Sequence, residues 1–202
     1  MVVVQTGFSQ GFVNLDFESA NISQRSGNVI QAADAFPGWS VNAPFVYYDS
    51  ISLSGGSISI FNPTSSYPVP PIQGNYYAYL ASVNVPGYDI PISLGQSGLV
   101  PSSTQSIQFW GNISGMQITF SGQPLFFNIL GTTANYNIYG ADISTYAGQT
   151  GQLLFTLPPL SGNASLDNIQ FSSSSVPEPS ALALGGLGIL LFGFRSWRNY
   201  LS

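Results

Sequence analysis

The chain has 202 residues and a formal net charge of −5, from eight acids against three arginines, with no lysine, histidine or cysteine. Charged residues make up 5% of it, against about 25% in an ordinary soluble domain, and three arginines cannot supply the phosphate contacts of a nucleic-acid binder. Without His or Cys there is no disulfide, no imidazole or thiolate metal site and no Ser-His or Cys-His nucleophile, yet 44% hydrophobic and 14% aromatic residues provide for a packed core.

Met1-Val2-Val3-Val4-Gln5-Thr6 lacks a basic n-region, a long apolar stretch and a small-residue cleavage site. Residues 1–11 therefore read as an unstructured remnant, and a signal peptide is expected upstream of Met1. From residue 12 to 171 the chain is a series of short β-branched and aromatic runs broken by Gly, Pro, Asn and Ser. Strands are expected at Val13–Phe17, Phe45–Asp49, Ser57–Phe61, Tyr76–Ala81, Ile90–Leu94, Ser106–Trp110, Met116–Phe120, Leu125–Ile129, Asn135–Tyr139, Gln152–Leu157 and Ala164–Phe171. In Met116-Gln117-Ile118-Thr119-Phe120 three apolar side chains alternate with two polar ones, the pattern of a half-buried antiparallel strand. Breaks such as Ser121-Gly122-Gln123-Pro124 suit hairpins. So many short strands predict an all-β, antiparallel two-sheet jelly-roll sandwich over residues 12–171. The one helical turn expected follows Asp142, whose carboxylate can cap it.

Two acids stand out by position. In the first predicted strand Leu15 and Phe17 should face the core, which turns Asn14, Asp16 and Glu18 away. In the last, Ile169 and Phe171 read as core residues, which puts Asp167 on the core side. A carboxylate on an apolar face needs hydrogen-bond donors, a cation or a metal, and Arg25 is the single arginine before residue 176. Calcium accepts about six to eight oxygens, main-chain carbonyls included, so Glu18 and Asp167 form a candidate calcium pair. The alternative is that Asp167 caps a turn and Glu18 is a solvated edge charge. No other cofactor is required.

Trp39, Tyr48 and Tyr77 are the candidates for stacking on sugar rings, because in Tyr47-Tyr48 and Tyr76-Tyr77 one ring should face in and the other out. Tyrosine also suits strands intrinsically. Glycoside cleavage needs two acids converging at about 5 to 10 Å. Asp49, Asp89 and Asp142 would be the ones to converge, but the acids are scattered over loops and strand ends, so a non-enzyme is expected.

The chain changes character at its C-terminus. Residues 172–180 hold a serine run and Val176-Pro177-Glu178-Pro179, and read as a flexible linker. Residues 181–194 carry no charge, and Arg195 and Arg198 follow. With its flanks the apolar run reaches the length of a marginal membrane span, aided by arginines that snorkel. One transmembrane helix is therefore expected within 181–202, its basic end inside.

Pro-Glu-Pro, apolar segment and basic cluster, in that order, resemble the PEP-CTERM sorting signal of Gram-negative bacteria. The resemblance implies transient insertion in the inner membrane and recognition by an exosortase, a membrane protease that cleaves near Val176, Pro177, Glu178 and Pro179. Release to the cell envelope or extracellular matrix would follow. Asn14-Leu15-Asp16-Phe17-Glu18, Pro37-Gly38-Trp39 and Leu166-Asp167-Asn168-Ile169 resemble galactose-binding-like jelly rolls, a plan shared by many carbohydrate-binding modules. That resemblance implies first and last strands lying close together, a structural calcium in some members, and a polysaccharide partner.

Overall fold

A computed structural model describes residues 11–52, 56–62, 64, 72–82 and 90–176. Residues 1–10 of the expected remnant 1–11, Asp89, Pro177, Glu178, Pro179, the helix expected at 181–202 and its Arg195 and Arg198 lie outside the described residues, while Gly11 is described and forms a parallel bridge with Leu99.

Among the described residues, twelve strands follow in chain order: β1 (Ser40–Asn42), β2 (Phe45–Tyr48), β3 (Ser57–Phe61), β4 (Tyr77–Ala81), β5 (Ile92–Leu99), β6 (Ser106–Asn112), β7 (Gln117–Phe120), β8 (Gln123–Pro124), β9 (Phe127–Thr132), β10 (Asn137–Asp142), β11 (Thr150–Leu157) and β12 (Asn163–Ser172). They form an all-β sandwich of two sheets. One sheet has the order β1-β5-β11-β7-β8 and the other β2-β3-β4-β12-β6-β10-β9. Neighbours are antiparallel except β2 and β3. Among the described residues no helix is long and apolar enough to cross a membrane.

Alternation builds the core. Ile107 and Phe109 of β6, Ile118 and Phe120 of β7, Leu153, Phe155 and Leu157 of β11 are buried in one cluster between the sheets. Aromatic rings tie its two walls together: Phe109 of β6 meets Phe155 of β11 edge-on at 5.7 Å. The turn expected after Asp142 is a 3-10 turn at Ser144–Tyr146, and Asp142 Oδ1 accepts the Ser144 N–H at 2.8 Å. Hydrogen bonds from the Ser144 hydroxyl and then the Ser144 N–H hold the Asp142 carboxyl below its ordinary pKa.

Three expectations need correction. The turn after Asp142 is not the one helical turn, since a 3-10 turn forms at Ile22–Gln24 and a short α-helix at Ala32–Ala35. Val13–Phe17 is not a strand but a run of turns, with Asn14 and Phe17 at φ 48° and 58°. Phe17 is buried all the same, carried into the core by the turn rather than by alternation, and packs on Trp39 at 5.5 Å. Strands β1 and β8 are too short to show a period in sequence. The serine run is no free linker as far as it is described: Ser172 ends β12, and the Ser174 carbonyl accepts the Ser106 hydroxyl at 2.7 Å.

Candidate functional site

The N-terminal turns and β12 meet, as the Ile169 N–H donates to the Leu15 carbonyl at 2.9 Å. This junction depends on a bulge. Asn168 sits at φ 46°, a left-handed conformation that asparagine tolerates, and the β12–β6 register shifts between Asp167 and Gln170. One inserted residue reverses the facing of everything beyond it. Leu166 and Ile169 both reach the core, while Asp167 lies opposite Trp110 on the outer face of the seven-stranded sheet. Asp167 is therefore not on the core side, as alternation from Ile169 suggests. It is nevertheless 1% exposed, because the outer face is covered there.

Part of that cover is the segment 73–76, which the two carboxylates hold. Glu18 Oε1 accepts the N–H groups of Asn75 and Tyr76 at 2.7 and 3.0 Å, and Oε2 accepts the Asn75 amide at 2.9 Å. Asp167 Oδ2 accepts the Gln73 N–H at 3.2 Å and Oδ1 its neighbour Asn168 at 2.7 Å. Gly74 stands at φ 64°, and a Cβ there would strike the Glu18 carboxyl carbon at 2.8 Å. So Glu18 is a latch rather than a solvated edge charge. Burial, followed by the charges of Glu18 and Asp16, pushes the Asp167 pKa up to about 8, against its two backbone hydrogen bonds.

The donor set does not suit calcium. All four carboxylate oxygens already accept N–H groups. Among the described residues no group of three or more acids gathers to hold an ion. Charge-assisted hydrogen bonds contribute about 1.5–3 kcal/mol each at most. Glu18→Ala should therefore lower stability by about 2–3 kcal/mol in a urea titration and speed hydrogen exchange at Asn75 and Tyr76 selectively.

The sugar-stacking candidates separate. Trp39 is buried against Phe17 and Phe155 with its Nε1 donating to the Asn14 carbonyl at 2.9 Å. Tyr77 is 0% exposed and stacked on Phe61. Neither ring is open to a sugar. The Tyr77 hydroxyl has no hydrogen-bond partner among the described residues, and burial raises its pKa, with smaller contributions from Asp49, Tyr79 and Asp167. Tyr48 is half-buried and lines an open concavity with Ser23, Arg25, Gly27, Asn28 and Asp49.

That concavity is assembled from two short elements. The 3-10 turn Ile22–Gln24 and the turn between Ser26 and Val29 pack on β2, where the Tyr48 N–H donates to the Asn28 carbonyl at 2.8 Å. Arg25 is the only cation among the described residues. Its Nη1 donates to the Ile22 carbonyl at 3.0 Å and its Cζ lies 4.9 Å from the Tyr48 ring centre. Asp49 is fixed by accepting the Asn62 N–H at 2.7 Å. A cation, an acid, an amide, a hydroxyl and an aromatic thus share one wall. Sequence reasoning named Tyr48 but missed its partners, since Arg25 and Asn28 meet it only through the turn.

Fold and chain end together define the class: a β-sandwich whose last strand leads directly into a C-terminal tail. The tail is identified in particular, because residues 175–199 match the PEP-CTERM protein-sorting motif. The chain therefore carries a C-terminal sorting signal. No curated protein matches the chain. Among solved structures, it is similar to the enzymatically active domain of tailspike protein 4 of bacteriophage CBA120, with TM-score 0.40 and 9% identity over 78% of this chain and 21% of that one. It thus spans about a fifth of the tailspike's length. It is also similar to TmCBM61, solved in complex with β-1,4-galactotriose, with TM-score 0.43 and 15% identity over 81% of this chain and 99% of that one.

Proposed function

We propose that this is an exported protein of a Gram-negative cell envelope or extracellular matrix, processed by an exosortase-type membrane protease. Its β domain is a non-catalytic jelly-roll sandwich for adhesion or polysaccharide interaction. The observation that carries the sorting half is the motif at residues 175–199. In this reading the apolar run within 181–202 crosses the inner membrane once, Arg195 and Arg198 stay inside, and cleavage near Pro177-Glu178-Pro179 frees the domain. Expression with and without an exosortase tests it. With the protease, a C-terminal epitope should be lost and the domain recovered outside the cell. An epitope retained on the exported protein in both strains would sink the reading.

The Arg25–Tyr48–Asp49 concavity supports the polysaccharide half. Its mix of donors, acceptors and an aromatic face suits a hydroxyl-rich ligand, and it is preformed by main-chain bonds rather than by ligand. The described acids support a non-catalytic role. Asp49, Asp142, Asp167 and Glu18 each accept a main-chain N–H, which holds them as structural anchors. On an array of bacterial exopolysaccharides the purified chain should bind, and Tyr48→Ala should weaken binding about tenfold, the loss of one stacking contact. EDTA should leave binding unchanged. Binding untouched by Tyr48→Ala and Arg25→Ala would place the ligand elsewhere.

A further inference from the structure

Large apolar side chains are concentrated at one corner of the described surface. Phe126 is 88% exposed, Ile129 58% and Leu130 37%. They fall within five residues at β9, the outermost strand of the seven-stranded sheet. No charged residue occurs anywhere from 122 to 141. Ile129 stands opposite the core residue Tyr139 and Leu130 at Gly140, so the apolar side chains flank the free edge of β9 on both faces, and an exposed apolar edge marks contact with a partner or a membrane.

The end of the described chain lies at the same corner. From β12 it passes Ser106, which donates its hydroxyl to the Ser174 carbonyl at 2.7 Å, and reaches β10. Leu130 Cδ1 and Val176 Cγ2 lie 2.6 and 3.1 Å from the point a Cβ on Gly140 would take, so Val176 sits beside Leu130. Only Pro177, Glu178, Pro179 and Ser180 separate Val176 from the uncharged run at 181–194. The five steps from Val176 to Ala181 span at most about 18 Å. An inserted run would therefore hold this corner, and no other, close to the bilayer. Pairing with a second copy through β9 is disfavoured by the register shift opposite Ile138 and Tyr139, since a bulge spoils a strand edge as a template.

We propose that Phe126, Ile129 and Leu130 form a membrane-contact surface, seated in the lipid interface while the C-terminal segment is inserted. This rests on the anchor reading of the tail. Apolar side chains beside a membrane root bury themselves at the boundary of headgroups and acyl chains. The corner thereby orients the sandwich and presents the residues after Val176 at the membrane surface, where a membrane protease acts.

The chain has no cysteine, so a single introduced thiol reports cleanly. The full chain carrying Phe126→Cys, labelled with an NBD fluorophore, is reconstituted in phosphatidylethanolamine–phosphatidylglycerol vesicles containing doxyl-labelled lipid. Leu160→Cys is the control. It is 59% exposed and lies beyond the far end of β12, roughly 30 Å away along the strand. The label at 126 should be quenched severalfold more than that at 160. Equal quenching in a chain that floats with the vesicles would overturn the contact surface and leave the anchor standing. A chain that does not float overturns the anchor, and this surface with it. A label at 126 shielded without vesicles in a dimeric chain would assign the corner to a second copy and overturn the proposal.

Discussion

Gly111→Ala should be among the most damaging single substitutions in the sandwich, lowering the melting temperature by about 10 °C or more. Gly111 lies inside β6, in the middle of the seven-stranded sheet, paired with Leu166 of β12 on one side and Asn137 of β10 on the other. A Cβ there would run into the Ser165 main-chain oxygen, with the Ser165 carbonyl carbon at 2.8 Å and Leu166 Cα at 3.3 Å. None of these atoms is a flexible side-chain end that can swing aside. Relief requires β12 to move, and β12 is also held by the Ser165 hydroxyl, which accepts the Asn112 N–H at 3.0 Å. The cost expected is about 3–5 kcal/mol, the range of severe core lesions, which gives that shift in a domain of this size. Gly122→Ala is the control, since a Cβ there meets nothing within 4 Å, and it should cost only about 1 kcal/mol. A Gly111→Ala protein melting within a degree or two of the Gly122→Ala one would mean that β6 and β12 are not paired in this register.

The second large effect is a pH dependence opposite to that of most proteins. The Asp167 pKa is raised to about 8 in the folded chain, whereas in the unfolded chain it returns to about 3.9. Between those values the folded state holds a proton that the unfolded state releases. Stability is therefore full at low pH and falls as pH rises through the window, by up to about 5 kcal/mol. The chain has no histidine and no cysteine, so few other groups titrate there to mask the slope. The N-terminal amine is one, near pH ~8. Asp167→Asn separates the two. It removes the buried charge while keeping the shape, so stability should become nearly flat from pH 5 to 9 (about the window above) and exceed that of the parent at the alkaline end. Urea titrations across this range decide the matter. A parent protein steadily more stable toward alkaline pH would refute a buried, proton-holding Asp167. Asp142 contributes with the opposite sign, since its lowered pKa is lost only in acid.

These two positions differ in how far they could be read from sequence. Asp167 was visible as a carboxylate within an apolar strand, and so was the need to compensate it. Its actual face was not, because alternation presumes an unbroken register and Asn168 breaks it. Gly111 gave no signal, since a glycine in a strand looks like a mere weakness until the partner strand is known to pass over it. The same division runs through the concavity: Tyr48 could be proposed from its place in a tyrosine pair, whereas Arg25 and Asn28 reach it through turns with no periodicity. Trp39 and Tyr77 show the converse error. Tyr77 lies in a strand, but both faces of the seven-stranded sheet are covered around β3 and β4, and Trp39, just before β1, is packed against Phe17 and Phe155.

Sequence by itself determined the strand-rich class, most strand positions, the exclusion of thiol and imidazole chemistry, and the sorting tail. All of these rest on composition, period or a contiguous motif, which are local properties. Tertiary structure alone decided which residues meet: Glu18 with the segment 73–76, Arg25 with Tyr48, and Val176 with Gly140. Each of those contacts joins stretches far apart in the chain or on different strands. Their geometry depends on sheet order, a bulge at one asparagine and the path of turns, none of which is encoded by the spacing of the residues concerned.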